Sequence, residues 1–193
     1  MESAAESDED LMLKFGRGDG AAFETLYRRH ESRVFRYLYR HVRNHASAND
    51  LMQEVWFAVA RSAERYQPTA KFTTWLFTLA HHRMVDSLRK IRPELSLDAV
   101  EPEEREESSL ANRLAGDPRA EPPAELSSQD EAAALLGAVT ALPVEQRTAF
   151  LMQAEGELSL ADIAEATGSS IETVKSRLRY ARAKLRQSLW EYA

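Results

Sequence analysis

The sequence predicts an all-α fold of two small helical domains joined by an acidic flexible linker. In residues 1–93, and again in residues 131–193, apolar side chains recur at intervals of three and four, which is the spacing of one helix face. Residues 94–130 differ, because they are rich in Pro, Ser and acidic residues and contain no aromatic residue. Such a segment buries too little apolar surface to offset the entropy of ordering it. We therefore predict a linker there, with a short helical turn at residues 108–116.

The composition is that of a soluble globular chain and argues against several classes of protein. Of the 193 residues, 44% are hydrophobic and 29% are charged, and none is cysteine. The absence of cysteine excludes a disulfide framework, a cysteine-ligated zinc site and a thiol nucleophile. The N-terminal stretch MESAAESDEDL is too acidic for a signal peptide, and no apolar run approaches the ~20 residues that span a bilayer. We expect a cytoplasmic protein that does not insert into a membrane.

Positive charge is concentrated in one short stretch near the C-terminus. The chain has a formal net charge of -6, and residues 94–130 alone carry 11 acidic and 3 basic residues. Residues 170–187, in contrast, carry six basic residues and one acidic residue. A local excess of positive charge on an acidic protein predicts a surface that binds a polyanion.

Two helices are predicted before residue 45. The first spans residues 8–17 and ends at the sequence GRGDG, which we interpret as a turn. It is not a phosphate-binding loop, because no Gly-Lys-Ser/Thr follows and no strand precedes it. The second spans residues 21–44 and has an apolar stripe on one side. We interpret the arginines beside that stripe as a solvated basic face: Arg28, Arg29, Arg33, Arg36, Arg40 and Arg43.

The third and fourth helices are predicted at residues 47–66 and 72–90. In the third helix, Leu51, Val55 and Val59 point inward, together with Met52. A partly outward face is formed by Asp50, Gln53, Glu54 and Phe57. In the fourth helix, Thr73 or Thr74 is the predicted cap, and the core-facing residues are Trp75, Leu76, Leu79, Val85 and Leu88. The adjacent His81 and His82 are not interpreted as metal ligands, because neighbours on a helix point about 100° apart.

The C-terminal half predicts a helix-turn-helix. Pro143 suits the first turn of a helix, and Gly156 ends that helix. Ser159 and Asp162 then form a capping box for a short helix, and Gly168 allows a left-handed turn. A second capping box, Ser169 with Glu172, begins a more basic helix. Two capped helices joined at a glycine are typical of this DNA-binding motif.

The last helix has the face pattern of a recognition helix. At 100° per residue, one face is apolar and packs on its domain: Ile171, Val174, Leu178, Ala181 and Leu185. One flank carries Lys175, Arg179, Arg182 and Arg186, and the other carries Arg177 and Lys184. The outward positions between the flanks are Thr173, Ser176 and Tyr180. Small polar groups between two cationic rims predict docking in a major groove, where the rims meet phosphates.

Four blocks of sequence resemble segments of one protein family. Their order and their distances along the chain make the resemblance specific. Three lie in the N-terminal half: AFETLYRRHESRVFRYLYR, ANDLMQEVWFAVARSAERY and FTTWLFTLAHHRMVDSLRK. The fourth is ALPVEQRTAFLMQAEGELSLADIAEATGSSIETVKSRLRYARAKLR. Together they resemble the extracytoplasmic-function (ECF) group of alternative sigma factors of bacterial RNA polymerase. The resemblance implies a region 2-like domain in 1–93, the linker in 94–130 and a region 4-like domain in 131–193.

The resemblance implies a chain that binds core RNA polymerase and directs promoter-specific initiation. It would read the upstream (minus-35) promoter element and melt the downstream (minus-10) element. The expected polymerase contacts are the clamp helices of the largest subunit and the flap. The DLMQEVW block resembles the family's core-binding helix, so the expected core-binding residues are Asp50, Leu51, Gln53, Glu54 and Phe57.

The resemblance also assigns residues to promoter DNA. Those expected at the downstream element are Tyr66, Lys71, Phe72, His82, Arg83, Asp86 and Arg89. Those expected at the upstream element are Thr173, Lys175, Ser176, Arg177, Arg179 and Tyr180. The sequence departs from the family at His82, which is usually Asn, and at Tyr180, which is often Arg. The first departure changes the side chain that is expected to contact the base.

Further partners follow from the same resemblance. An anti-sigma factor is expected as an inhibitor, and the acidic linker is expected to enter the polymerase channel that later holds RNA, or else to act as a solubilising tether. No cofactor, metal or small-molecule substrate is expected. An enzyme is not indicated, because no coherent set of nucleophile, base and metal ligands occurs.

Two alternatives stay open at the level of sequence. One is a one-component helix-turn-helix regulator with an N-terminal sensing domain, which predicts a ligand pocket and a dimer. The other is a sigma-mimic decoy that sequesters a regulator and never binds polymerase. A decoy would tolerate loss of the cations that face DNA, and here they are present.

Overall fold

The computed structural model describes residues 6–91 and 128–190, and within these ranges all regular structure is helical. A 3-10 turn, Ala63–Arg65, follows the third of eight α-helices. The helices are α1 (Asp8–Gly16), α2 (Gly20–Val42), α3 (His45–Ser62), α4 (Phe72–Ile91), α5 (Ser128–Ala141), α6 (Val144–Gly156), α7 (Leu160–Thr167) and α8 (Ile171–Trp190). The prediction of an all-α fold with two small helical domains is confirmed. The predicted turn at 108–116 and nearly all of the predicted linker lie outside the described residues.

Local capping explains where most helices begin. The side chains of Ser7, Asp19 and Asn44 accept hydrogen bonds from backbone N–H groups at the starts of α1, α2 and α3. The predicted range of α4, residues 72–90, agrees with the structure, but the predicted threonine cap was wrong, because the helix begins at Phe72, before both threonines. A long-range contact fixes this start, since the Phe72 N–H donates to the Glu9 carboxylate at 2.5 Å.

The helix-turn-helix has the predicted turn and one shifted cap. Ser159 and Asp162 form the capping box, and Gly168 adopts a left-handed φ of 63°. The cap of α8, however, is Ser170, whose hydroxyl accepts from the Thr173 N–H at 3.1 Å. The prediction of Ser169 was wrong because its own N–H closes the end of α7 on the Ala164 carbonyl, at 2.9 Å. The turn therefore uses one residue more than predicted.

The predicted apolar faces form the core. Leu51, Met52, Val55 and Val59 are buried as predicted, and so are Val174, Leu178, Ala181 and Leu185 on α8. Residues Trp75, Leu79, Val85 and Leu88 of α4 are only partly buried. Ile171 was predicted to face the core but is 45% exposed, because it lies in the first turn of α8, beyond the helices that cover the rest of that face.

The two halves pack directly on each other and share one continuous core. Helix α2 contacts α6, and α4 contacts α7. The prediction that the arginine-rich side of α2 is a solvated face was therefore wrong for part of its length. Arg36 and Arg40 pair with the buried carboxylate of Glu155 on α6.

Candidate protein and nucleic-acid interfaces

An apolar groove opens between α2 and α3. Its floor is Trp56, which is buried, with Phe23 packed edge-on at 5.6 Å and Tyr27 at 5.0 Å between ring centroids. Phe57 stands at the groove with 66% of its surface exposed. A large exposed aromatic side chain beside an apolar groove marks a surface that binds another protein.

Four of the five predicted core-binding residues lie on the exposed side of α3. Asp50, Gln53, Glu54 and Phe57 are exposed and share one side of the helix. Leu51, the fifth, is only 3% exposed and lies on the inward face one helical turn before Val55, at the base of the exposed side. The sequence reasoning missed the rest of the groove, although the four-residue spacing of Phe23 and Tyr27 on α2 was a usable signal.

A polar cleft runs between α3 and α4 and joins two of the predicted sets. Asp50 and Glu54 of the core-binding set line it together with Arg83 and Asp86 of the downstream-element set. Lys90 closes one end. Acidic and basic side chains thus face each other across the cleft, so binding a partner on one set changes the electrostatic field at the other.

Two aromatic residues expected at the downstream element are core residues in this structure. Phe72 is fully buried, with ring centroids of His30, Trp75 and Tyr66 at 5.5, 5.8 and 6.3 Å. Tyr66 is 9% exposed, and its buried hydroxyl has no hydrogen-bond partner in the described part of the chain. Burial, aided by the charges of Glu9 and Asp8, raises the pKa of Tyr66 to about 12. The expectation that these rings are open to a base is corrected, because a base would have to displace the packed loop first.

The adjacent histidines of α4 point to different environments. The hydroxyl of Tyr37 and Nδ1 of His81 are 3.0 Å apart, so His81 is turned toward the core. Burial, together with the charges of His82 and Arg177, lowers the pKa of His81 to about 4. His82, in contrast, is exposed, as are Lys71, Asp86 and Arg89 of the same predicted set, and Arg83 is half-buried.

The predicted recognition helix presents its cations to solvent. Lys175, Arg179 and Tyr180 are exposed, and Thr173, Ser176 and Arg177 are half-exposed. The Arg179 guanidinium lies over the Tyr180 ring, 5.0 Å from its centroid, and donates to its hydroxyl at 3.3 Å. This contact orients the Arg179 guanidinium beside the outward position of Tyr180, where a cation–π interaction of this kind is worth about 0.5–1 kcal/mol.

Two exposed cations of α8 also contact other side chains of the protein. Arg182 donates to the Gln153 side chain on α6 at 2.6 Å, and Lys175 pairs with Glu172 at 2.7 Å. A surface ion pair such as Lys175–Glu172 stabilises a protein by only ~0–1 kcal/mol. A DNA phosphate can therefore replace Glu172 as the partner of Lys175 at little cost in free energy. Together with Arg179 and Arg186, these residues line a basic groove along α8.

Neither a membrane-spanning helix nor a metal-binding cluster occurs in the part of the chain that the structure describes. Across residues 6–91 and 128–190, no helix is both long enough and apolar enough to cross a membrane. In the same ranges, no three His, Cys, Asp or Glu side chains are grouped so that they could hold a metal ion.

Family models match both halves of the chain. Residues 26–93 match the model of sigma-70 region 2, and residues 132–185 match the model of sigma-70 region 4. The first match covers α3, α4 and most of α2, and therefore the polar cleft and all of the groove except Phe23. The second covers nearly all of the helix-turn-helix.

Curated relatives match over nearly the whole chain. The ECF RNA polymerase sigma factor SigM of Mycobacterium tuberculosis is 31% identical over 185 residues, which are 95% of this chain and 85% of that protein. The ECF RNA polymerase sigma factor RpoE of Cereibacter sphaeroides is 32% identical over 174 residues, 89% of this chain and 88% of the relative. SigW of Bacillus subtilis, also an ECF RNA polymerase sigma factor, is 27% identical over 90% of this chain and 91% of its own.

Solved structures share the fold. CnrH, in its complex with the cytosolic domain of CnrY, superposes with a TM-score of 0.66 at 20% identity and covers 97% of this chain and 100% of that one. The sigma factor RpoE of Bartonella quintana, crystallised with the anti-sigma factor NepR, gives a TM-score of 0.60 at 22% identity, covering 81% of this chain and 89% of that one. At these identities the likeness concerns the arrangement of helices.

Proposed function

The chain belongs to the ECF RNA polymerase sigma factors, which direct transcription initiation, and on that premise we propose how its surfaces divide the work. The domain at residues 1–93 binds core polymerase and melts the downstream element. The domain at residues 131–193 reads the upstream element and contacts the flap. Residues 94–130 connect them. The single observation that carries the division is that the exposed groove and the cationic helix lie on different domains.

The polymerase-binding surface that we propose is the outward side of α3 together with the apolar groove. Phe57 supplies an exposed ring, and Gln53 and Glu54 supply polar contacts beside it. This combination of an apolar anchor with a polar rim is the usual composition of a protein interface. The clamp helices of the largest polymerase subunit are the partner that the family assigns to it.

Substituting Phe57 by Ala is expected to weaken binding to core polymerase by about 2 kcal/mol, because an exposed aromatic anchor at an interface centre is a typical hot spot. Charge reversal in Glu54→Lys, or loss of the amide in Gln53→Ala, is expected to weaken binding to a smaller extent. Fluorescence anisotropy with labelled protein and purified core polymerase gives the affinities. Arg28→Ala, an exposed change on α2 away from the groove, is the control. If all three test variants bind core polymerase with native affinity, α3 does not form the polymerase-binding surface.

For the upstream element, we propose that the N-terminal half of α8 meets base edges and that its C-terminal half meets phosphates. Arg179→Ala is expected to cost about 1–3 kcal/mol on the cognate element and to relax the preference at one base pair. Arg186→Ala is expected to weaken all sequences alike and to lower the salt slope by about one. Binding of the holoenzyme to a promoter library at several salt concentrations separates the two effects. If Arg186→Ala alters the sequence preference and Arg179→Ala does not, the helix enters the groove in the opposite direction.

At the downstream element, we propose that the exposed members of the predicted set act first. Lys71, directly before α4, and His82 and Arg89 along α4 provide exposed cations or hydrogen-bond donors. Arg83 and Asp86 of the same set line the polar cleft. Single-stranded DNA is held by such groups together with aromatic rings. Tyr66 and Phe72 join only if the loop between α3 and α4 rearranges, because both are buried here.

We also propose a dedicated anti-sigma factor as a partner, acting in the cytoplasm where polymerase and promoter DNA are found. Relatives by fold have been solved with such proteins, and the exposed Phe57 groove gives an inhibitor a surface to cover. Co-purification from the native cell tests this. Runoff transcription with core polymerase separates a sigma factor from a sigma-mimic decoy, since a decoy yields no transcript. Sigma factors in general are not enzymes, and we propose no catalytic activity or cofactor for this one.

A further inference from the structure

A buried carboxylate joins the two domains. Glu155, the penultimate residue of α6, is 6% exposed. Arg36 of α2 donates to it through Nε, at 3.0 and 3.1 Å, and through Nη2, at 2.8 Å. Arg40, one turn later on α2, donates through Nη1 at 2.5 Å. Both carboxylate oxygens are therefore engaged by guanidinium groups of the other domain, 115 or more residues away in sequence.

A second layer of buried polar contacts surrounds this ion pair. Arg147 of α6 donates through Nη1 to the Arg40 carbonyl at 3.1 Å and through Nη2 to the Leu142 carbonyl at 2.9 Å. Nε2 of His41 and Oγ1 of Thr148 are 3.0 Å apart, again across the domain boundary. The contacts of Arg147 with the Arg40 carbonyl and of His41 with Thr148 cross between the domains, so separating the domains would leave these polar groups without those partners.

Apolar packing completes the contact. Gly156 lies so close to α4 that a Cβ added there would be 3.1 Å from Cγ of Phe77. Helix α7 packs against α4, which the proposed function assigns to the downstream promoter element. The contact thus joins the domain that reads one promoter element to the helix that acts on the other.

This closed arrangement does not allow both promoter elements to be bound together. The minus-35 and minus-10 elements lie about 25 base pairs apart, or about 85 Å at a rise of ~3.4 Å per pair. A compact chain of this length has a radius of gyration of only about 16 Å. The covalent chain between Ile91 and Ser128 could reach ~120 Å if fully extended, so the tether itself permits separation. The domains must part before the chain can act as proposed.

We propose that Glu155, clamped by Arg36 and Arg40, is a latch that holds the free chain closed until core polymerase separates the two domains. The proposal rests on the proposed assignment of one promoter element to each domain. An intact buried ion pair adds little net stability, whereas removal of one partner strands the others and is strongly destabilising. The latch therefore favours one defined closed arrangement of the two domains. Because its net stabilisation is small, this arrangement can still open when polymerase binds each domain at a separate place.

Distance measurements in the full-length chain test the latch itself. The chain has no cysteine, so Ala21→Cys and Ala183→Cys, both at exposed alanines on different domains, give two labelling sites. Double electron–electron resonance between nitroxides at these sites is expected to show one short, narrow distance distribution. Adding Glu155→Gln is expected to raise the separated fraction at least about tenfold. Glu145→Gln, an exposed change on the same helix, is the matched control and is expected to leave the distribution unchanged.

Polymerase binding and transcription test the regulatory role. If opening limits binding, Glu155→Gln is expected to bind core polymerase about tenfold more tightly, because the apparent affinity scales with the open fraction. Circular dichroism checks the fold, and Arg36→Gln, on the partly exposed side of the ion pair, replaces Glu155→Gln if the latter does not fold. Equal distance distributions in the native chain and both variants overturn the latch. Separation without tighter polymerase binding overturns its regulatory role. If even the native chain neither binds polymerase nor supports transcription, the proposed function fails, while the distances still decide whether the latch exists.

Discussion

Phe77→Ala is expected to lower the free energy of unfolding by about 3–5 kcal/mol, the range for loss of a large side chain from a well-packed core. The ring is fully buried, packs edge-on against Tyr37 at 5.5 Å and lies against Gly156 of the other domain. The side chains that surround Phe77 cannot move into the cavity left by the substitution, because those of each domain are held in place by their own helices. Urea unfolding followed by circular dichroism gives the change.

Phe57→Ala is the control for that measurement, because it removes the same atoms from a ring that is 66% exposed. Its effect on the free energy of unfolding is expected to stay within about 0.5 kcal/mol. Since Phe77 belongs to a core shared by both halves, the native chain is expected to unfold in one transition. Equal costs for the two variants, or two separate transitions in the native chain, would contradict the shared core.

Local patterns were sufficient for the helices and for the exposed sites. The three- and four-residue spacing of apolar residues placed Val55 and Val59 inside, and the same spacing left Gln53, Glu54 and Phe57 outside. Capping chemistry located the helix-turn-helix to within one residue. These features follow from a few consecutive residues, so a single sequence contains the information.

Contacts between distant segments could not be predicted in the same way. Glu155 looks like an ordinary surface acid at a helix end, because nothing within four residues shows that two arginines of α2 will cover it. Phe72 was assigned to DNA by resemblance, but its ring and its N–H are bound by residues of α1 and α2. In both cases partners more than 40 residues away in sequence decide the environment, and periodicity within one helix gives no information about them.

The interface between the domains is also expected to make stability depend on pH. His41 is buried, and that burial, together with the charges of Arg147 and His81, lowers its pKa from 6.5 to about 4. The hydrogen bond between its Nδ1 and the Tyr37 carbonyl opposes the shift without overcoming it. The folded protein therefore binds fewer protons than the unfolded chain below pH 6.5. The contribution of His41 to stability is fully present above pH 6.5 and is lost as the pH falls toward 4.

Between pH 7 and pH 5, this single group is expected to remove about 2 kcal/mol from the free energy of unfolding, given a loss of up to ~1.4 kcal/mol per pH unit. Urea unfolding at half-unit pH steps measures the slope. In His41→Gln the side chain cannot be protonated, so we expect a less stable protein at pH 7 and a shallower slope between pH 6.5 and 4.5. His45→Gln, at an exposed histidine of the same domain, is the control and is expected to retain the native slope. If the His41 variant keeps the native slope as well, the acid sensitivity does not arise at the domain interface.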